Sequence, residues 1–138
     1  MIEVIIQEEI FNPKEIVEKI RARVVVGAMV SFIGSVREYS DDKLQFMEIE
    51  HYDEMAKKIF LSTLNQAKAQ WDLKVCYLIH RYGKLYPNEP IVMVVTCSDH
   101  RKESYKANQF VVDYLKTNAP FWKKEHFKKD SKWVKQTA

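Results

Sequence analysis

The sequence predicts an α+β domain with three main helices and a mostly antiparallel sheet. Stretches that are β-branched or alternate apolar with polar outnumber those with helical periodicity. Each helical stretch opens beside a residue able to cap it, at Asn12, Asp53 and Ser98 or Asp99. Two strand-like stretches, 74–82 and 90–98, are joined by a connection too short for a parallel crossover. With 138 residues, 46% of them hydrophobic, and only 3 Gly and 4 Pro, the chain is expected to fold as one unit over residues 1–138, without linker or repeat.

Taken in order, residues 1–7 read as a strand. Asn12 then suits a helix N-cap, Pro13 the first helical position, Glu15 a capping box, and Phe11 a staple onto Ile16. Residues 24–33 (VVVGAMVSFI) are apolar on both faces and β-branched, which predicts a central strand in which Gly27 permits close packing. After Gly34-Ser35-Val36-Arg37, EYSDDK reads as a loop and LQFMEIEHY as a strand bulged at Phe46-Met47. Asp53 opens a second helix in which Ala56, Ile59, Phe60, Thr63, Leu64, Ala67 and Trp71 recur at helical spacing. Residues 74–82 and 90–98 form an antiparallel pair across the turn-rich YGKLYPNE. A third helix, capped by Asp99 or Ser98, runs through about Leu115 with Ala107, Phe110, Val111, Tyr114 and Leu115 inward, until Asn118 and Pro120 stop it. Residues 121–127 and 132–135 read as extended, so the expected order is βαββαββαββ.

Several function classes fall away. The opening MIEVIIQEEI carries acids where a signal peptide would carry Lys or Arg, and no apolar stretch approaches the length of about 18 residues that spans a bilayer, so a soluble, cytoplasmic protein is expected. Cys76 and Cys97 lie inside apolar runs, which suits buried reduced thiols and leaves Cys97 with His100 a poor catalytic pair. His51, His80, His100 and His126 show no HxH or HxxxH spacing and no CxxC occurs, so no metal site is expected; no Walker or GxGxxG loop is present either. Charge is uneven: residues 1–100 hold 12 Lys and Arg against 15 Asp and Glu, a net −3, whereas residues 101–138 hold 10 against 4, a net +6. The basic last quarter points to an anionic partner: nucleic acid, a phosphorylated metabolite or an acidic protein.

Three stretches can carry chemistry. In TCSDHRKES, free N–H groups at a helix start, with His100 and Arg101 beside them, favour an anion; a capped helix with a solvated arginine explains the stretch equally well. In Gly34–Arg37, the glycine permits close approach and Arg37 a two-pronged contact to phosphate or carboxylate, against the plainer reading of a strand-end glycine and an exposed arginine. In LKTNAPFWKKEHF, two lysines flank a proline-broken apolar segment. Period 2 across FWKKEHF puts Phe121, Lys123 and Glu125 on one face and Trp122, Lys124 and His126 on the other. A lysine held near apolar groups and other cations has its ammonium form disfavoured and can act as base, acid or nucleophile. The plainer reading pairs Lys116 with the carbonyl end of its helix and lets Lys123 and Lys124 solubilise an edge strand.

Together, GAMVSFIGSVR at 27–37, EHY at 50–52, IHRYGKL at 79–85, SDHR at 98–101, DYLKTNAPFWKKE at 113–125 and the final Trp133-Val134 resemble the large, catalytic subunit of molybdopterin synthase. The resemblance covers nearly the whole chain with its segments in order. It implies an α/β-hammerhead-like fold and a homodimer of large subunits, each binding a small ubiquitin-like subunit whose Gly-Gly tail carries a thiocarboxylate, which makes a heterotetramer. The implied activity is a sulfurtransferase step of molybdenum cofactor biosynthesis. Two sulfurs pass in successive rounds to cyclic pyranopterin monophosphate (precursor Z), forming the dithiolene of molybdopterin with no cofactor or metal. Position by position, the family's catalytic lysines fall on Lys116 and Lys123. Its substrate-binding segments fall on Phe32, Ser35, Val36, Arg37, His100, Arg101, Lys116, Lys123, Lys124 and Glu125, with Lys124 expected at the rim. The sequence departs from the family at residues 38–43, which lack the usual glycine, and at HYDEM, where a proline-glycine is commoner. It departs again after Trp133, where Lys132 and Lys135 are the cations nearest the family's C-terminal arginine. The alternative reading is a small anion- or nucleic-acid-binding module using the basic last quarter.

Overall fold

The computed structural model describes residues 1–38, 44–127 and 131–134. Its elements run β1 (Ile2–Gln7), α1 (Pro13–Arg23), β2 (Ala28–Ser35), β3 (Leu44–His51), α2 (Asp53–Gln70), β4 (Val75–Arg81), β5 (Gly83–Leu85), β6 (Pro90–Ser98), α3 (Arg101–Asn118), β7 (Phe121–Phe127) and β8 (Ser131–Trp133). They build two four-stranded sheets, ordered β1-β4-β6-β2 and β5-β3-β7-β8. The first is mixed, because β1 pairs with β4 in parallel while β4–β6 and β6–β2 are antiparallel. The second is antiparallel throughout. The α+β class, with three helices, is the one the sequence predicts.

Every residue of β4 is buried, because helices cover both faces of the first sheet. On one face α1 lays Ile16 and Ile20 against Tyr77, Ile79, Met93 and Val95. On the other, Phe60 and Leu64 of α2 and Val111 of α3 join Leu78 and Val94, and this core continues into Met47, Ile49 and Phe121 of the second sheet. The α1 start is as expected: Pro13 is its first residue and Asn12 Oδ1 accepts a hydrogen bond from Lys14 N at 3.0 Å. Cys76 and Cys97 are buried free thiols, their pKa values pushed up by burial to about 12 and about 11. Among the described residues no helix is long and apolar enough to cross a membrane.

Several expectations are corrected. The strand predicted at 24–33 begins only at Ala28 and, among the described residues, is an edge strand, not a central one, pairing with β6 alone. Continuous apolarity reports how hydrophobic a segment is and says nothing about pairing on its two edges; Val25 is 87% exposed. The turn-rich YGKLYPNE contains β5, a three-residue strand pairing with β3, so the order is βαββαβββαββ. The irregularity in β3 lies between Leu44 and Phe46 rather than at Phe46-Met47. Neither Asp99 nor Ser98 caps α3. His100 is its N-cap without a side-chain bond, and the helix continues past Leu115 to Asn118. Asp99 is engaged by Lys74 at 2.8 Å, and the Ser98 hydroxyl donates to the carbonyl of His100. At HYDEM no separate turn is present: Tyr52 is the N-cap and Asp53 the first residue of α2. The departure expected at 38–43 falls mostly outside the described residues, as does Lys135.

Candidate active site

Two backbone facts bring the lysines of LKTNAPFWKKEHF together. Proline cannot continue a helix, and α3 closes with the Ala119 N–H bonded to the Leu115 carbonyl at 3.2 Å, one residue before Pro120. The chain then enters β7, whose pleat sends alternate side chains to opposite faces. Phe121 and Glu125 are buried, and Lys123, opposite Ile49 on β3, is half-buried between them. On the other face Trp122 is exposed, the Lys124 ammonium lies 5.3 Å from the Trp133 ring centroid, and His126 Nε2 sits 2.8 Å from Glu48.

Lys116, from the last turn of α3, and Lys123 therefore line one cleft of about 200 Å³. Phe32, Gly34 and Ser35 of β2 form one wall and Ile91, Val92 and Val94 of β6 another, with Val112 and Leu115 of α3 and His80 of β4 also in the lining. Gly34 belongs there for steric reasons: a Cβ would lie 2.9 Å from a Val92 methyl and 3.4 Å from the Phe32 ring. A larger open groove of about 780 Å³ runs along α1, but Lys19 is its one lysine, opposed by Glu15, and it gathers no pair of cations.

Burial shifts the pKa values of two polar groups of the cleft, Lys123 and His80. Burial lowers the Lys123 pKa below its ordinary 10.5, and the nearby Lys116 charge lowers it further, while Glu125 works in the opposite direction. His80 is buried, and burial pulls its pKa down to about 3. Its Nδ1 lies 2.7 Å from the Arg81 carbonyl, so Nδ1 carries the hydrogen and Nε2 the lone pair. The ring is stacked on Phe121, with centroids 4.0 Å apart.

The remaining expected residues fall in three places. Val36 is 2% exposed and belongs to the core, its N–H bonded to the Glu89 carbonyl and its own carbonyl to the Asn88 N–H; the expectation that it lines the pocket is not met. Arg37 is exposed just beyond it, and Lys124 is on the outer face of β7. His100 and Arg101 are exposed at the start of α3, about 22 Å from Lys116 at 1.5 Å per residue. Their corner is firmly held. Gly27 packs so tightly that a Cβ would lie 2.0 Å from the Asp99 carbonyl oxygen. Lys74 Nζ also bonds the Val25 carbonyl at 3.1 Å, and the Ser98 and Ser104 hydroxyls are 2.7 Å apart. Reading the sequence for site residues missed His80, although a lone histidine inside the buried run VCYLIHR is itself a signal.

Residues 6–118 match the family model described as MoaE protein. A molybdopterin synthase catalytic subunit from Ralstonia nicotianae is 42% identical over 131 residues, covering 94% of this chain and 74% of the relative. The solved molybdopterin biosynthesis MoaE protein from Burkholderia ambifaria superposes with a TM-score of 0.84 at 38% identity, covering 97% of this chain and 89% of that one. Molybdopterin synthase from Staphylococcus aureus gives 0.85 at 30% identity, covering 94% and 95%. The lysine-lined cleft thus sits in a chain that belongs to the MoaE family of molybdopterin synthase catalytic subunits.

Proposed function

We propose that this chain is the sulfur-transferring subunit of a molybdopterin synthase, taking sulfur from the C-terminal thiocarboxylate of a small ubiquitin-like partner and delivering it to cyclic pyranopterin monophosphate. The observation that carries the reading is the convergence of Lys116 and Lys123 on one cleft. At about 200 Å³ the cleft is smaller than the range of roughly 300–1,000 Å³ usual for drug-sized ligands. That size suits a narrow Gly-Gly tail, with the bulkier pterin at the mouth. The tail's thiocarboxylate would meet two ammonium groups in largely apolar walls, where charge stabilisation is stronger than in water.

In this scheme Lys116 orients and polarises the thiocarboxylate carbonyl as its sulfur attacks the pterin carbon, and water then cleaves the acyl carbon–sulfur bond, leaving the sulfur on the pterin and a carboxylate on the tail. Lys123 supplies a proton to the departing oxygen. A lowered Lys123 pKa makes that proton easier to give up. Arg37 and Ser35 lie on the β2 side for contacts to the phosphate. His100 and Arg101 are too far along α3 to reach the same cleft in one chain, so the homodimer implied by the family is assigned the task of bringing a second copy's His100-Arg101 corner to it.

The test is dithiolene formation from thiocarboxylated small subunit and the pterin precursor. Lys116→Ala and Lys123→Ala should each slow transfer by about 10²- to 10⁴-fold, the usual contribution of a positioned proton donor or acceptor. Absence of product with the unaltered chain would overturn the function, and full rate in Lys116→Ala would overturn the role given to that lysine.

A further inference from the structure

An ammonium group has three donors and no acceptor, so one held in a cleft needs lone pairs around it. The lining of the Lys116–Lys123 cleft is mostly aliphatic or aromatic, and besides the two lysines its polar side chains are Ser35 and His80. His80 has one free lone pair. Its Nδ1 is committed to the Arg81 carbonyl at 2.7 Å, and stacking on Phe121 at 4.0 Å and against Phe60 at 5.9 Å fixes the plane of the ring. Because Phe121 and Lys123 project from the same face of β7, the ring that packs on Phe121 is next to the root of the Lys123 side chain.

The geometry points to His80 as a positioning residue: its Nε2 makes no hydrogen bond among the described residues, lines the same cleft as Lys123, and is the acceptor the Lys123 ammonium takes when it turns into the cleft. The inference rests on the catalytic role proposed above for Lys123 and extends it by naming what holds that lysine. Burial keeps His80 neutral through the pH range in which the protein works, so it acts as an acceptor and not as a competing cation. The charged or titratable groups around the pair are Lys116 from α3, which disfavours the Lys123 ammonium, Glu125 from β7, which favours it, and His51 from β3, which acts on His80. Without an acceptor, the Lys116 charge and the dry walls would drive Lys123 out of the cleft or strip its proton.

Two substitutions separate this role from packing. His80→Asn keeps an N–H near the Nδ1 position for the Arg81 carbonyl but has nothing at the Nε2 position; His80→Gln can place an amide oxygen there. The direct readout is the titration of the Lys123 Cε resonance in ¹³C-lysine-labelled full-length protein, assigned by its loss in Lys123→Arg. Loss of a charge-assisted hydrogen bond should lower the Lys123 titration midpoint by about one pH unit in His80→Asn, with His80→Gln close to the unaltered protein. An unmoved midpoint in His80→Asn, or equal shifts in both variants, overturns the inference. Sulfur transfer measured across pH on the same variants tests the other layer: rates that follow the shifted midpoint support Lys123 as the proton donor. A shifted midpoint with an unshifted rate profile leaves the hold of His80 on Lys123 standing and overturns the catalytic role of Lys123.

Discussion

Of the residues that build the cleft, Lys123 and His80 show how differently the chemistry of a side chain can be written into a sequence. The alternation of FWKKEHF alone sorts Lys123 from Lys124, and in the fold the first is inward and the second over Trp133. Lys116 needed more than periodicity, because helical spacing leaves open whether it covers the helix end or faces a pocket. His80 was only partly legible: a lone histidine in the buried run VCYLIHR is a signal and its carbonyl partner is one residue away, but the ring from β7 and the cleft closed by β2 that give it a role are not local in sequence. Its burial has a consequence for acid stability. With a folded pKa of about 3 against an ordinary 6.5, the unfolded chain binds a proton that the folded chain refuses between those values. Stability should therefore fall by roughly 1.4 kcal/mol per pH unit as pH drops from about 6.5 toward about 3. Equilibrium denaturation at stepped pH should show a slope in His80→Gln, whose side chain does not titrate, that is smaller than in the unaltered protein by about this amount.

At the scale of elements, α3 is the part on which both ends of the site depend. Asn108, midway along it, donates to the carbonyls of Val30 on β2 and Val94 on β6, both at 3.0 Å, which pins the helix to the first sheet. The extent of this helix was partly legible: its stop at Asn118-Pro120 follows from proline, but its start did not, because the hydroxyl of Ser98 and the carboxylate of Asp99 were drawn into other bonds. The three-residue β5 was invisible for a related reason, since so short a strand has no periodicity and exists only because β3 offers it an edge. The corner before α3 also makes a sharp prediction. In Gly27→Ala the new methyl would meet the Asp99 carbonyl oxygen at 2.0 Å, and because the obstacle is backbone it has no easy escape. A loss of roughly 3 kcal/mol in denaturant unfolding is expected from such overpacking, and an unchanged midpoint would mean that β2 is less tightly seated than it looks.

For the whole molecule, the separation of about 22 Å along α3 between Arg101 and Lys116 sets an experiment on assembly. If two chains share each site, mixing Arg101→Ala with Lys116→Ala, each inactive alone, should restore about a quarter of the unaltered activity, because half of the random dimers are mixed and each has one intact site. No recovery after unfolding and refolding the mixture would place the complete site within one chain. The α+β class and the helix count were legible as global features, whereas the division into two sheets was not, since it turns on which edge each strand finds. The parallel pairing of β1 with β4 carries a further consequence, for the time the chain takes to fold. Ile2 lies beside Cys76, and between them α1, β2, β3 and α2 must all be laid out, a loop of about seventy residues whose closure costs entropy before any contact repays it. During synthesis β1 leaves the ribosome long before β4 exists, and even then β4 must emerge in full before the pair can form. The strand that appears early must wait, apolar and unpaired, and Glu3 within it and Glu8 and Glu9 just after it put charge where pairing with the wrong neighbour is thereby disfavoured.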